Sequence, residues 1–272
     1  KGLPTQSGLG IPMATDIAFA LGILSLLGKR VPFSIKIFLM ALAVVDDLGA
    51  IVVIALFYTK GLVLFYLGLA FAVLAGLLVM RRFKIYAVTP YLIGGAIMWY
   101  FMLKSGVHAT ITGVLVAFAI PFIKEDGQRC PSFYLMHRLH IPVSFVILPL
   151  FALANTAVTL SSNFTEVLSQ PVSLGILSGL VLGKPLGIFL VSFLVVSLGL
   201  CKLPQGISWS NIIGVGFLGG IGFTMSIFIT LLAFDDIQVI NTAKIIILCS
   251  SLLAGIIGYS YLYVTLKKTG NE

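Results

Sequence analysis

Residues 41–55 read ALAVVDDLGAIVVIA, an apolar run with two adjacent carboxylates, Asp46 and Asp47, near its centre. A charged side chain in the middle of a bilayer costs about 2.5–3.5 kcal/mol on insertion scales, so a pair at this depth must be met by protons, cations or a basic partner. The other ionisable groups deep inside apolar runs are Asp16 in GLGIPMATDIAFALG and Lys184 in LVLGKPLGIF. Three carboxylates against one ammonium leave negative charge in excess, and such carboxylates bind protons or metal cations. Oxygen ligands of this kind suit hard cations, and adjacent acids titrate as one coupled unit. Asp46 and Asp47 project about 100° apart on a helix, so either one broad cavity receives both or each faces a different partner. A structural ion pair with Lys184 is the competing reading for any single aspartate. His108 and Lys104 lie nearer the edge of an apolar run.

The elements that carry these groups belong to a membrane protein. Of the 272 residues 59% are hydrophobic and only 10% charged, with a mean hydropathy of +1.13, against about 25% charged residues in ordinary globular domains. No soluble surface can be built from so few charges. Apolar runs of spanning length fall at about 9–28, 35–58, 62–80, 86–103, 106–123, 141–158, 171–200, 207–234 and 240–266. They predict an all-α integral membrane fold: a polytopic helix bundle forming one transmembrane domain of about nine helices over residues 1–272. KSG alone parts the fourth run from the fifth, which makes that boundary the weakest.

Two segments are expected to be broken helices. In GLGIPMATDIAFALG, Pro12 removes a backbone donor and disfavours helix at Ile11, just before Thr15 and Asp16. In GVGFLGGIGFTMSIFIT, five glycines from Gly214 to Gly222 precede Thr224. Irregular backbone at membrane depth is tolerated where it is buried in protein or lines a cavity, and a pair of such segments marks a transporter binding site. Close helix packing through glycine is the alternative for either segment alone. Pro185 and its neighbouring glycines predict a further interruption beside Lys184, a residue too deep in its run to snorkel.

Orientation follows from the cations, because basic loops stay in the cytoplasm. The loops after odd-numbered runs hold twelve (Lys29, Arg30, Lys36, Arg81, Arg82, Lys84, Lys124, Arg129, Arg138, Lys202, Lys267 and Lys268), and the opposite side holds four, Lys1, Lys60, Lys104 and Lys244. This places the C-terminus in the cytoplasm, sets the basic loops against anionic lipid, and accounts for the net charge of +8 without nucleic acid. The connector KEDGQRCPSFYLMHRLH, residues 124–140, is expected to be cytoplasmic and too short to fold alone. Cys130, Cys201 and Cys249 are widely spaced and odd in number, which gives no disulfide framework. The chain opens on KGLPTQSGLG with neither Met nor a signal-peptide pattern, and upstream sequence is expected.

The stretches ATDIAFALGILSLLGKRVPFSIKIFLMALAVVDDLGAIVVIALFYT, LKSGVHATITGVLVAFAIP, LPLFALANTAV, LGKPLGI and GGIGFTMSIFI resemble NhaA-type sodium/proton antiporters over essentially the whole chain. NhaA is itself a reference case for paired broken helices in inverted repeats, so that pattern is no independent finding here. The resemblance implies a secondary transporter, not an enzyme, that exchanges Na+ or Li+ for H+ across the bacterial inner membrane in pH and sodium homeostasis, electrogenically and with no cofactor. Family members have twelve helices, and this chain resembles the fourth to the twelfth; a homodimer contact would lie in the missing upstream region. Carried over residue by residue, the proton-carrying and cation-binding groups are Asp46, Asp47 and Thr15, while Asp16 and Lys184 offset the dipoles of the broken helices. His108, His137 and His140 would take part in the pH response, although LMHRLH departs from the family pattern, which has a Glu before the first histidine. From the residues alone, His137 and His140 read as solvated loop groups.

Rival functions use the same residues differently. A proton-independent cation channel needs the carboxylates without the coupling. An intramembrane aspartyl protease needs its aspartates on facing helices, whereas these two are adjacent. A retinal protein would use Lys184 as a Schiff base, yet Pro185 follows it and the chain has only Trp99 and Trp209 for a pocket.

Overall fold

A computed structural model describes residues 4–58, 61–122, 130–158, 168 and 170–269. The cations Lys1, Lys60, Lys124 and Arg129 lie outside the described residues, as does the connector before Cys130. The chain divides into two compact units, residues 1–50 with 152–272 and residues 51–151.

All the regular elements among the described residues are helical, and one or more fall on each predicted apolar run. They are a 3-10 helix Pro4–Met13, α1 (Ile17–Leu26), a short 3-10 turn Gly28–Arg30, α2 (Phe33–Phe57), α3 (Leu64–Arg82), α4 (Val88–Lys104), α5 (Thr110–Ala119), α6 (Pro131–Pro142), α7 (Leu148–Thr156), α8 (Pro171–Ser178), α9 (Lys184–Ser197), α10 (Trp209–Gly219), α11 (Phe223–Ala233) and α12 (Ile237–Thr269). Six continuous spans, Gly8–Leu26, Phe33–Ala55, Leu64–Arg82, Pro131–Thr156, Pro171–Ser197 and Ile237–Leu266, are long and apolar enough to cross a bilayer; α10 and α11 form a seventh, bent by 49°. α4 and α5, with 17 and 10 residues, are shorter. They are separate helices, parted by a turn in which Gly106 takes a φ of 83°. Large apolar side chains such as Phe145, Leu153, Val191 and Leu200 stay exposed, as expected of helices that lie in a membrane. The protein is a multi-pass membrane helix bundle.

Two sequence expectations need correction. From Pro131 onward the polar connector is helical, and it runs into the next span through a single π-helical turn, Val143–Ile147. Pro131 stands at the helix start, where its missing N–H costs nothing. Beside Lys184 the helix is not interrupted either: a π turn, Gly179–Gly183, carries α8 into α9 without a break. Pro185 falls in the first turn of α9, where its ring is tolerated.

The core of the first unit gathers Leu24, Ile35, Leu39, Ile212, Leu218, Ala254 and Leu262 around α1, α2, α10 and α12. That of the second unit is built on Ala70, Leu77, Tyr91, Met98, Met102 and Val116 from α3, α4 and α5.

Candidate functional site

Both predicted breaks lie in the first unit, and they cross. Residues 14–16 are extended between the Pro4–Met13 helix and α1, while Gly220–Gly222 separate α10 from α11. At the crossing the Asp16 N–H donates to Ile221 O at 2.6 Å. Side chains cannot intrude here. A Cβ on Gly220 would collide with Leu180 O, and one on Gly179 would come within 2.9 Å of Pro12 Cβ.

Two helix starts converge on Asp16, whose side chain is buried. Its Oδ1 caps α1 by accepting from Phe19 N at 3.1 Å. Its Oδ2 accepts from Thr224 N at 3.1 Å and from the Thr224 hydroxyl at 2.5 Å, in the first turn of α11. One carboxylate therefore meets the positive ends of two half-helices, the sign that helix dipoles favour.

The opposite end of the first half-helix faces Lys184. Its Nζ donates to Met13 O, the last carbonyl of the first half-helix, at 2.8 Å, and to Thr15 Oγ1 at 2.6 Å; it stands 3.1 Å from Asp46 Oδ2. These three acceptors use all three ammonium protons. Thr15 has one hydroxyl proton and two acceptors within reach, Asp46 Oδ2 at 2.8 Å and Gly219 O, the end of α10, at 2.9 Å. It can serve only one at a time. The Lys184 side chain is 7% exposed and that of Asp46 20%, so the pair is largely shielded.

Asp46 and Asp47 thus have different surroundings, as their angular separation on α2 requires. Asp46 is tied into the Lys184 and Thr15 cluster. Asp47 Oδ1 is buried with no hydrogen-bond partner among the described residues, an arrangement that normally demands an explanation. No group of three or more His, Cys, Asp or Glu among the described residues is placed to hold a metal ion.

The structure brings together Thr15, Asp16, Asp46, Asp47 and Lys184 in one unit, as the sequence motifs implied. The three histidines belong to the second unit. His108 lies between α4 and α5, and His137 and His140 are exposed on α6, with His137 stacked on Phe133 at 6.1 Å. In the sequence Thr224 stands out as the residue after the glycines, but nothing there marks its partner Asp16 or the part played by the carbonyls of Met13 and Gly219. The available signal was positional, since Thr224 sits two residues beyond a glycine break, where a new helix must find acceptors for its first N–H groups.

Two crossed, interrupted helices whose like-charged ends are each answered by a buried side chain define an ion-coupled secondary transporter. The chain belongs to the Na+/H+ antiporter 1 family, whose model matches residues 1–262. It is 65% identical over 268 residues to the Na(+)/H(+) antiporter NhaA of Flavobacterium psychrophilum, covering 98% of this chain and 70% of the relative. The Na(+)/H(+) antiporter NhaA of Dechloromonas aromatica is 60% identical over 264 residues, covering 96% and 68%. Na(+)/H(+) antiporter NhaA 1 of Flavobacterium johnsoniae is 57% identical over 270 residues, covering 99% and 71%. The chain is a transporter and not an enzyme, and these relatives lend no support to the channel or protease readings.

Proposed function

We propose that the protein exchanges Na+ for H+ at the site formed by Asp46, Asp47 and Thr15, in the bacterial inner membrane with its C-terminus in the cytoplasm. One observation carries this reading: Asp46 is neutralised by Lys184 while its neighbour Asp47 has a buried oxygen with no hydrogen-bond partner among the described residues. With both carboxylates ionised, the site attracts a bare alkali cation, Na+ or Li+, which Thr15 Oγ1 helps to hold. Protonation removes the charge and releases the cation. Exposing the two states to opposite sides of the membrane in turn gives exchange. If both aspartates give up a proton for each cation, one net charge crosses per cycle and the exchange is electrogenic. Lys184 competes with the cation for Asp46, so cation binding must also displace the ammonium or share the carboxylate with it. Asp16 and Lys184 keep the crossed helix ends neutral while this happens. His108, His137 and His140 are proposed to tune the pH response, anionic lipid to meet the basic loops, and a second copy of the chain to be its assembly partner.

The test is sodium-driven proton movement in proteoliposomes with an acidic lumen and a clamped membrane potential. Added Na+ should collapse the pH gradient in a saturable manner and move charge when the clamp is released. A pH gradient that does not respond to Na+ or Li+ would overturn the reading.

A further inference from the structure

α11 begins on Gly222, a position that cannot carry a capping side chain. Gly222 supplies no side-chain acceptor to the helix it precedes, and a Cβ there would run into the Ser226 hydroxyl and stand 3.1 Å from Leu180 Cδ2. The first N–H groups of α11 must then find acceptors on other segments. Asp16 takes the second of them, Thr224 N. Phe223 N, the first, donates to Ser251 Oγ at 3.1 Å.

Ser251 lies in the middle of α12, is 6% exposed, and has no role in the exchange chemistry described above. Small residues follow it at helical spacing, Ala254, Gly255 and Gly258, and they let α12 press against the crossing. A Cβ on Gly258 would be 3.1 Å from Leu218 N, one on Gly255 would be 3.6 Å from Ile221 Cδ1, and one on Gly220 would be 3.3 Å from Ala254 Cβ. Ile221 O in turn accepts from Asp16 N at 2.6 Å. A continuous series of contacts therefore runs from Ser251 through Phe223 and Thr224 to Asp16, and one residue further to Thr15 with its hydroxyl at Asp46.

We propose that Ser251 is a positioning residue for cation binding. By accepting the first N–H of α11 it fixes that helix end against Asp16, and so sets where Thr15 Oγ1 stands relative to Asp46. The inference rests on the exchange reading above but adds to it a helix, α12, that contributes no group to the ion site. The adjacent Ser250 is an internal control, since its hydroxyl is buried with no hydrogen-bond partner among the described residues.

The experiment compares wild type, Ser251→Ala, Ser251→Thr, Ser251→Val and Ser250→Ala in proteoliposomes, measuring sodium-driven proton flux per folded molecule against sodium concentration. Ser251→Ala and Ser251→Val should raise the half-saturating sodium concentration about fivefold, the effect of losing one neutral hydrogen bond. Their maximal rates should stay within about twofold of wild type. Ser251→Thr keeps the hydroxyl in a shape close to valine and should restore wild-type saturation, as should Ser250→Ala. A purely structural serine would lower the amount of folded protein and leave half-saturation unchanged, and that result overturns the proposal. Should Ser251→Ala fail to accumulate, the threonine and valine pair decides by the same criterion. Absence of sodium-dependent flux in the wild type would instead overturn the exchange reading itself, and this inference with it.

Discussion

The Lys184 ammonium stands 3.1 Å from Asp46 Oδ2 and donates its remaining protons to the Thr15 hydroxyl and the Met13 carbonyl. One cation thus compensates a helix end and a carboxylate of α2 together, although its partners come from α2 and from the first break.

Replacing Lys184 by Ala should lower stability and transport in parallel. Removing one member of a buried pair typically costs about 3–5 kcal/mol, and the partial exposure of Asp46 puts this case near the lower end. Thermal unfolding in detergent together with sodium-driven proton flux checks it. A variant that melts and transports like wild type would mean that Asp46 finds compensation elsewhere.

Asp16 should rank its substitutions by how many donors they leave orphaned. Asp16→Asn keeps one accepting oxygen, puts an NH2 donor where the other stood, and loses the charge that meets two helix starts, at a cost of about 1–2 kcal/mol. Asp16→Ala strands Phe19 N, Thr224 N and the Thr224 hydroxyl, at a cost of about 2–4 kcal/mol. The midpoints of thermal unfolding should fall in the order Asp, Asn, Ala; an alanine variant as stable as the asparagine one would contradict the shared-cap description.

The crossing itself depends on the absence of side chains. Gly220→Ala would drive a methyl group into Leu180 O, a backbone atom that cannot swing aside, and should cost about 1–3 kcal/mol. Gly187→Ala, in the interior of α9 with open space around it, should be neutral or gain up to about 1 kcal/mol. Unfolding midpoints of the two variants give the comparison, and equal values would show that the close approach at Leu180 is not tight.

The buried charges were legible in the sequence because hydrocarbon makes each of them an exception that needs a partner. The breaks at Pro12 and at the glycines before Thr224 could be read for the same reason, as backbone irregular at membrane depth. Pairings were not. Whether Lys184 answers Asp16 or Asp46 depends on where a π turn puts it along α9, and the Gly and Pro residues that allow the turn read identically to those of a break. Ser251 left no trace, because a serine inside an apolar helix is ordinary until the N–H of Phe223 is seen to donate to it. The helical run from Pro131 was hidden by its polarity: a helix that emerges from the bilayer loses the hydropathy by which the rest of it was recognised.

The central claim is that protons and sodium compete for the adjacent carboxylates Asp46 and Asp47. The direct measurement is the half-saturating sodium concentration for proton exchange in proteoliposomes as a function of pH, for wild type and Asp47→Asn. In the range where the pair titrates, each unit of added acidity should raise half-saturation about tenfold for every proton displaced, while the maximal rate changes far less, and Asp47→Asn should abolish exchange. Half-saturation that does not move with pH, or an Asp47→Asn protein that still exchanges sodium for protons at the wild-type rate, would contradict the account.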